Sequence, residues 1–256
     1  MVPITWKAIS PAMARKFVRV LLIGSLLLLA LALWRKDVLP DHRVLRQELL
    51  EEPQQAAVQR AAFETSAGGV SYSVQPLYSY DLYGLVVSRH DSNTWWDYIH
   101  REWNDYLNVV DLCVLWGNNI RSSTYKDIDF SSGQFVCNFY TSSHSAYEAF
   151  DQAAISNNHL LSNDKHVVRT LRAIRVGDQV HFRGLLSEYS HGGGFKRGTS
   201  SVRTDSGNGA CETVFVEDVE ILQAGGGPWR KLIWVAVALL VIGIVGWWML
   251  PAHVNN

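Results

Sequence analysis

The chain is 256 residues long, with a formal net charge of −1 and 18% charged residues. That balance argues against a nucleic-acid partner, which needs a concentrated basic face. Three cysteines, with neither a Cys-x-x-Cys pair nor the Cys/His spacing of a zinc site, point to no metal and permit at most one internal disulfide.

Residues 1–16 form a tail with Lys7, Arg15 and Lys16, and residues 17–34 are an apolar run. Basic residues before an apolar core describe a signal peptide or a signal anchor. Ala30-Leu31-Ala32 offers a cleavage site, but the run is longer than a usual signal core, so an uncleaved first transmembrane helix is the preferred reading. A second run covers residues 229–250. Leu232 to Leu250 carries no charge, Arg230 and Lys231 precede it, and Trp229, Trp247 and Trp248 flank it as interfacial aromatics do. Neither run contains Gly-x-x-x-Gly, the close-packing signature of paired spans. Residues 251–256 are a tail without Lys or Arg. The lipid bilayer is therefore the first predicted partner. Basic residues beside the spans lean the intervening loop toward the cytoplasm, yet that rule loses force for long translocated domains. A loop rich in Tyr, Trp, Ser and Asn reads instead as a periplasmic domain at an inner membrane.

Residues 35–69 read as a juxtamembrane helix and linker. Val44, Leu45, Leu49 and Leu50 recur at helical spacing, Pro53 stops the helix, and Ser66 to Gly69 form a flexible link. Residues 70–222 read as one α+β, mainly-β domain. Strands are predicted where Tyr80, Leu82, Gly84 and Val86 alternate with other residues, and over Val109 to Gly117, Gly133 to Thr141, Val176 to Tyr189 and Glu212 to Leu222. Helices are predicted over Asn93 to Tyr106 and Ala146 to Ile155, the latter ended by Ser156-Asn157-Asn158. Gly84 and Gly184 inside strands fit the bends of a small barrel, and the I-x-V-G-D-x-V-x-x-x-G-x-L text resembles OB-like barrels without transferring any functional residue. Residues 223–228 are a Gly-rich hinge.

The densest polar tract runs from His191 to Glu212. Gly192, Gly193 and Gly194 expose backbone N–H groups, Lys196, Arg197 and Arg203 add positive charge, and Asp205 pairs with Glu212 as carboxylates, so the tract reads as a ligand or partner loop or as a plain long hairpin. It lacks the Gly-x-x-x-x-Gly-Lys-Ser/Thr of a nucleotide loop. Asn157, Asn158 and His159 form the most localised polar cluster, expected to cap and turn the chain. The other histidines are scattered singly. Cys113 and Cys137 lie in neighbouring predicted strands and are the preferred disulfide pair, with Cys211 left over. Trp95, Trp96, Trp103, Tyr78, Tyr80 and Tyr83 offer an aromatic surface or core packing. No catalytic residue and no cofactor is assigned. The reading is a membrane-anchored, non-enzymatic binding or assembly module, an accessory subunit for a membrane-protein partner. The alternative is a membrane-tethered enzyme with its site under the 191–212 loop.

Overall fold

The computed structural model describes residues 10–202 and 211–250, and the chain divides into two compact units. One joins the residues up to Asp37 with those from Gly226 onward, and the other is Val38–Gly225.

The first unit consists of two helices, α1 (Pro11–Arg35) and a C-terminal helix (Trp229–Met249), each long and apolar enough to cross a membrane. At 1.5 Å per residue they extend about 37 and 31 Å. Ser10 caps α1, accepting from the Met13 N–H, and Pro11 follows where a missing N–H costs nothing. The helices run antiparallel. Arg15 at the start of α1 donates to the Leu250 carbonyl at the end of its partner, while Arg230 at the start of that partner donates to the Lys36 carbonyl. Close approach comes from small residues seven apart: Ser25 and Ala32 on one helix, Ala236 and Gly243 on the other, all buried. A Cβ on Gly243 would lie 2.6 Å from Leu22 Cδ2. The pair therefore packs on a heptad seam of small side chains, although the four-residue glycine spacing is missing.

The second unit is built on an eight-stranded sheet. In chain order its elements are β1 (Gln54–Ala57), β2 (Phe63–Ala67), β3 (Val70–Asp91), α2 (Ile99–Glu102), β4 (Asn108–Leu115), α3 (Gly117–Ser122), β5 (Asp129–Gly133), β6 (Val136–Tyr140), α4 (His144–Ala149), β7 (Ile155–Leu161), α5 (Lys165–Ala173), β8 (Gln179–His191), β9 (Lys196–Arg197) and β10 (Glu212–Gln223). The C-terminal helix is α6. Pairing runs β3–β4–β7–β10–β8, and β8 pairs in turn with β3. All these pairs are antiparallel except β7 with β10. Parallel neighbours cannot be joined by a tight turn, and here α5 and β8 intervene between them. The strand β3, 22 residues long, also pairs with β1 and β2 along its other edge. The β5–β6 hairpin forms a separate small sheet.

Alternation sorts the side chains of β4, β7 and β10 onto two faces. Val110, Leu112, Val114, Leu160, Val214 and Val216 enter the main core, closed by Val167, Leu171 and Ile174 around α5. Cys113 and Leu115 on the opposite face pack with Leu49, Tyr125 and Phe150. A Cβ on Gly184 would lie 2.1 Å from the Phe215 carbonyl oxygen, so β8 and β10 approach more closely than any side chain there allows.

Several expectations are corrected. No α-helix forms over residues 41–62: two 3-10 turns, His42–Val44 and Gln47–Leu50, lead into β1 and β2, and Gly68 and Gly69, both at positive φ, make a hairpin turn into β3 rather than a loose link. Leu49 is drawn into the core, which ties this stretch down as part of the domain. The helix expected over residues 93–106 shrinks to the single turn α2. The helix ending at Ser156 stops at Ala149, and Ser156 to His159 lie inside β7.

Candidate functional site

On the face of the sheet opposite the main core, three segments meet over β4 and β7: the 92–107 connection, the β5–β6 turn and β9 with the residues after it. Asp97 is the hub of the first. Its Oδ2 accepts from His90 Nε2 at 2.7 Å and His100 Nδ1 at 2.6 Å, and its Oδ1 accepts from the His100 backbone N–H and from Gln134 Nε2, each at 3.1 Å. All three side chains are buried. Tyr189 OH donates to Asp105 Oδ2 at 2.7 Å, burial raises the Asp105 pKa, and the Tyr72 hydroxyl bonds the Asn104 carbonyl and receives the Tyr106 N–H. The connection is thus fastened from beneath by polar side chains pointing inward. Its aromatic side chains point outward: Trp95 is 83% exposed and Tyr98 63%, with Trp96, Trp103 and Tyr106 also exposed.

The His90, Asp97 and His100 ligand atoms lie within 4.8 Å of one another, the spacing of a metal-ligand set. The proton arrangement opposes that use. Asn108 Nδ2 donates both to Asp111 Oδ1 at 2.8 Å and to His100 Nε2 at 2.9 Å. His100 Nε2 therefore accepts, and the ring proton sits on Nδ1, where it bonds Asp97. A metal at Nδ1 would push that proton onto Nε2, against the Asn108 N–H. The cluster is read as a hydrogen-bonded clamp.

Asp111 is the second hub. It lies opposite His159 in the β4–β7 pairing, and both side chains leave the sheet on the same face. Asp111 Oδ1 is 2.7 Å from His159 Nδ1, and Oδ2 accepts from the Phe135 N–H at 3.2 Å. Burial would raise the Asp111 pKa, but His159, His100 and the Asn108 hydrogen bond outweigh it and hold it down at about 2. Burial also works against an imidazolium at His159, yet Asp111 prevails and lifts that pKa to about 9. Arg197 Nη2 lies 2.7 Å from His159 Nε2 and its guanidinium 3.9 Å from the Phe135 ring centroid. Since Arg only donates, the guanidinium opposes the imidazolium that Asp111 favours. The Cys211 thiol donates to the Phe135 carbonyl oxygen at 3.8 Å.

The fates of the expected residues differ. His159 joins the centre with Arg197. Asn157 shares its face and donates to Cys211 Sγ at 3.6 Å, while Asn158 turns to the other side and bonds Ser156 Oγ at 2.7 Å. None of the three caps a helix: a strand can bury polar side chains when cross-strand partners satisfy them. Gly192, Gly193 and Gly194 form the exposed turn between β8 and β9, and Lys196 pairs with Glu188 at 2.9 Å. Arg203 and Asp205 lie outside the described residues. The tract is not bare of apolar anchorage, because Phe195 packs on Tyr189 and stacks on His191, both at 5.2 Å between ring centroids. Cys113 and Cys137 form a disulfide that binds β6 to β4 and carries Phe135 to Asp111. Tyr80 is core; Tyr78 and Tyr83 are half-buried. Sequence reading missed Asp97, His90, His100, Asn108, Asp111 and Cys211. One local signal was available, the Asp97–His100 spacing of a side chain capping the backbone N–H three residues on. Family models, curated proteins and solved structures yield no match to this chain.

Proposed function

We propose that the chain is a membrane-anchored binding or assembly module, held by two spans at an inner membrane with its central domain on the outer side, where it docks a membrane-protein partner. The antiparallel α1–α6 pair supports a hairpin whose two inner ends receive one loop domain. The pairing ring β3–β4–β7–β10–β8, with α5 between its third and fourth strands in chain order, supports an OB-like barrel. Such barrels bind ligands on their second and third strands and on the loops joining strands one to two and four to five. The counterparts here are β4, β7, the 92–107 connection and, among the described residues, β9 with the turn before it. The observation that carries the reading is that these two distant loops converge on one buried pair: Arg197 reaches His159, and Asn108 links Asp111 to His100. The 92–107 connection also carries the exposed Trp95, Trp96, Tyr98, Trp103 and Tyr106, and Trp and Tyr are enriched at binding hot spots.

The test is copurification from detergent with the full-length chain and with a Trp95→Ala/Tyr98→Ala variant. A stoichiometric protein retained by the first and lost by the second is the expected result. Equal retention by both would remove the aromatic row from the interface.

A further inference from the structure

The end of the helix pair where α1 begins carries positive charge and no side-chain carboxylate. Arg15 and Arg19 stand about one turn apart on one side of α1, and their guanidiniums lie 5.7 and 5.5 Å from the centroid of the same Trp247 ring. Like charges four residues apart on a helix repel. Yet residues 1–36 and 224–256 contain no Asp or Glu to offset them. Arg15 directs one N–H to the Leu250 carbonyl, whereas Arg19 makes no hydrogen bond or ion pair among the described residues. Beside Arg19 the two helices leave a groove of about 310 Å³, lined by Leu22 and Ile23 of α1 and by Ile244, Trp247 and Trp248 of α6. The groove is open along one side, where Ile23, Ile244 and Trp248 are exposed, and Arg19 is its one charged side chain.

We propose that this groove binds one anionic phospholipid, its phosphate against the Arg19 guanidinium and an acyl chain along Leu22, Ile23 and Ile244. The inference rests on α1 and α6 crossing a membrane, the reading that underlies the proposed function. An arginine within a span is costly in hydrocarbon, so it takes a partner or extends to the interface. Trp247 and Trp248, side chains typical of that interface, set the head-group level beside Arg19. The guanidinium presents forked N–H donors that match phosphate oxygens. Contacts with the acyl chain give little selectivity, because lipid tails are as apolar as Leu and Ile. Charge therefore decides. A head group with net negative charge offsets the arginine pair, while in a zwitterionic lipid the choline ammonium competes for the same phosphate. Basic pockets between spans take anionic head groups on these grounds. The groove makes the site local, because it holds the tail beside the arginine and so selects one lipid over a diffuse layer of counter-charge.

The experiment is native mass spectrometry of the full-length chain in detergent, with dioleoylphosphatidylglycerol or dioleoylphosphatidylcholine added. These lipids share their tails and differ in head-group charge. The first phosphatidylglycerol should bind about fivefold more tightly than phosphatidylcholine, the worth of one basic residue at an anionic membrane surface. Arg19→Gln should abolish that preference, and Lys231→Gln, at the opposite end of the helix pair, should leave it. Ile23→Trp, which fills the groove without altering charge, should weaken the first binding of both lipids. Trp95→Ala/Tyr98→Ala should change none of this, which keeps the lipid site apart from the docking proposal. A native chain that binds the two lipids alike overturns the proposal, as does an equal loss from Arg19→Gln and Lys231→Gln, the mark of diffuse surface charge. Unaltered binding in Ile23→Trp overturns the placement of the acyl chain. Alkaline extraction of membranes separates the site from the spans. A chain that stays in the membrane pellet yet shows no lipid preference loses the site and keeps the spans, and a chain released to the supernatant loses both.

Discussion

Two buried carboxylates, Asp97 and Asp111, are linked in this domain through His100 and Asn108 and are built differently. Around Asp97 every bond closes inward: two imidazoles, an amide and a backbone N–H occupy its oxygens, tying the 92–107 connection to His90 at the end of β3 and to Gln134 in the β5–β6 turn. Around Asp111 the chain of contacts leads outward, through His159 to Arg197 and through the Phe135 backbone to the partly exposed Cys211. The first is a clamp that gives the 92–107 connection its shape. The second has one end free to respond to something outside. The same residue types thus serve rigidity or function according to where the last hydrogen bond in the chain ends.

Cutting the clamp should have the largest effect. Asp97→Ala strands two buried imidazoles, and a buried donor left unsatisfied costs about 1–3 kcal/mol; thermal unfolding should show a large fall in midpoint and early proteolysis within residues 92–107. Asp97→Asn, which keeps some of the bonds, should lose less. Replacing Cys113 and Cys137 together with Ala should cost about 3–4 kcal/mol, the loop-closure value for a cross-link spanning 24 residues. It should also loosen Phe135 from Asp111, visible as faster amide exchange at Phe135.

The Asp111 side of the comparison is sharpened by acid. A carboxyl held at about 2 against an ordinary 3.8 contributes stability that is present above about pH 4 and lost as pH falls through about 2. In His159→Gln the carboxyl loses its principal charged partner and its pKa moves back up, so acid unfolding should begin at higher pH than in the wild type. A profile identical to wild type would show that His159 does not hold Asp111. The smallest expected effect on stability is that of Trp95→Ala, within about 0.5 kcal/mol because the side chain is 83% exposed. A large loss there would mean the aromatic row packs the domain and is not a surface for a partner.

The two apolar terminal helices and the strands β4, β8 and β10 were legible because continuous or alternating apolar residues mark them directly. The strand β7 was hidden by its own chemistry. Ser156, Asn157, Asn158 and His159 look like a turn, since pattern reading takes a buried strand to be apolar, whereas these four are polar and each makes a hydrogen bond to a neighbour. The clamp was hidden for a different reason: His90 and His100 are brought together by a connection that doubles back, and no spacing rule covers that. Arg197 was singled out for its charge within a glycine-rich tract, but its partner was not foreseeable without the pairing that carries β9 past β7.

The central claim is that the 92–107 connection and β9 form one working face over Asp111 and His159. Photo-crosslinking residues introduced singly at Trp95 and at Lys196 of the full-length chain, in its own membranes, test this most directly, with exposed Tyr147 as the control position. The account predicts one protein adduct, the same from positions 95 and 196 and absent from 147. Adducts to different proteins from the two loops, or adducts to lipid alone, would contradict it.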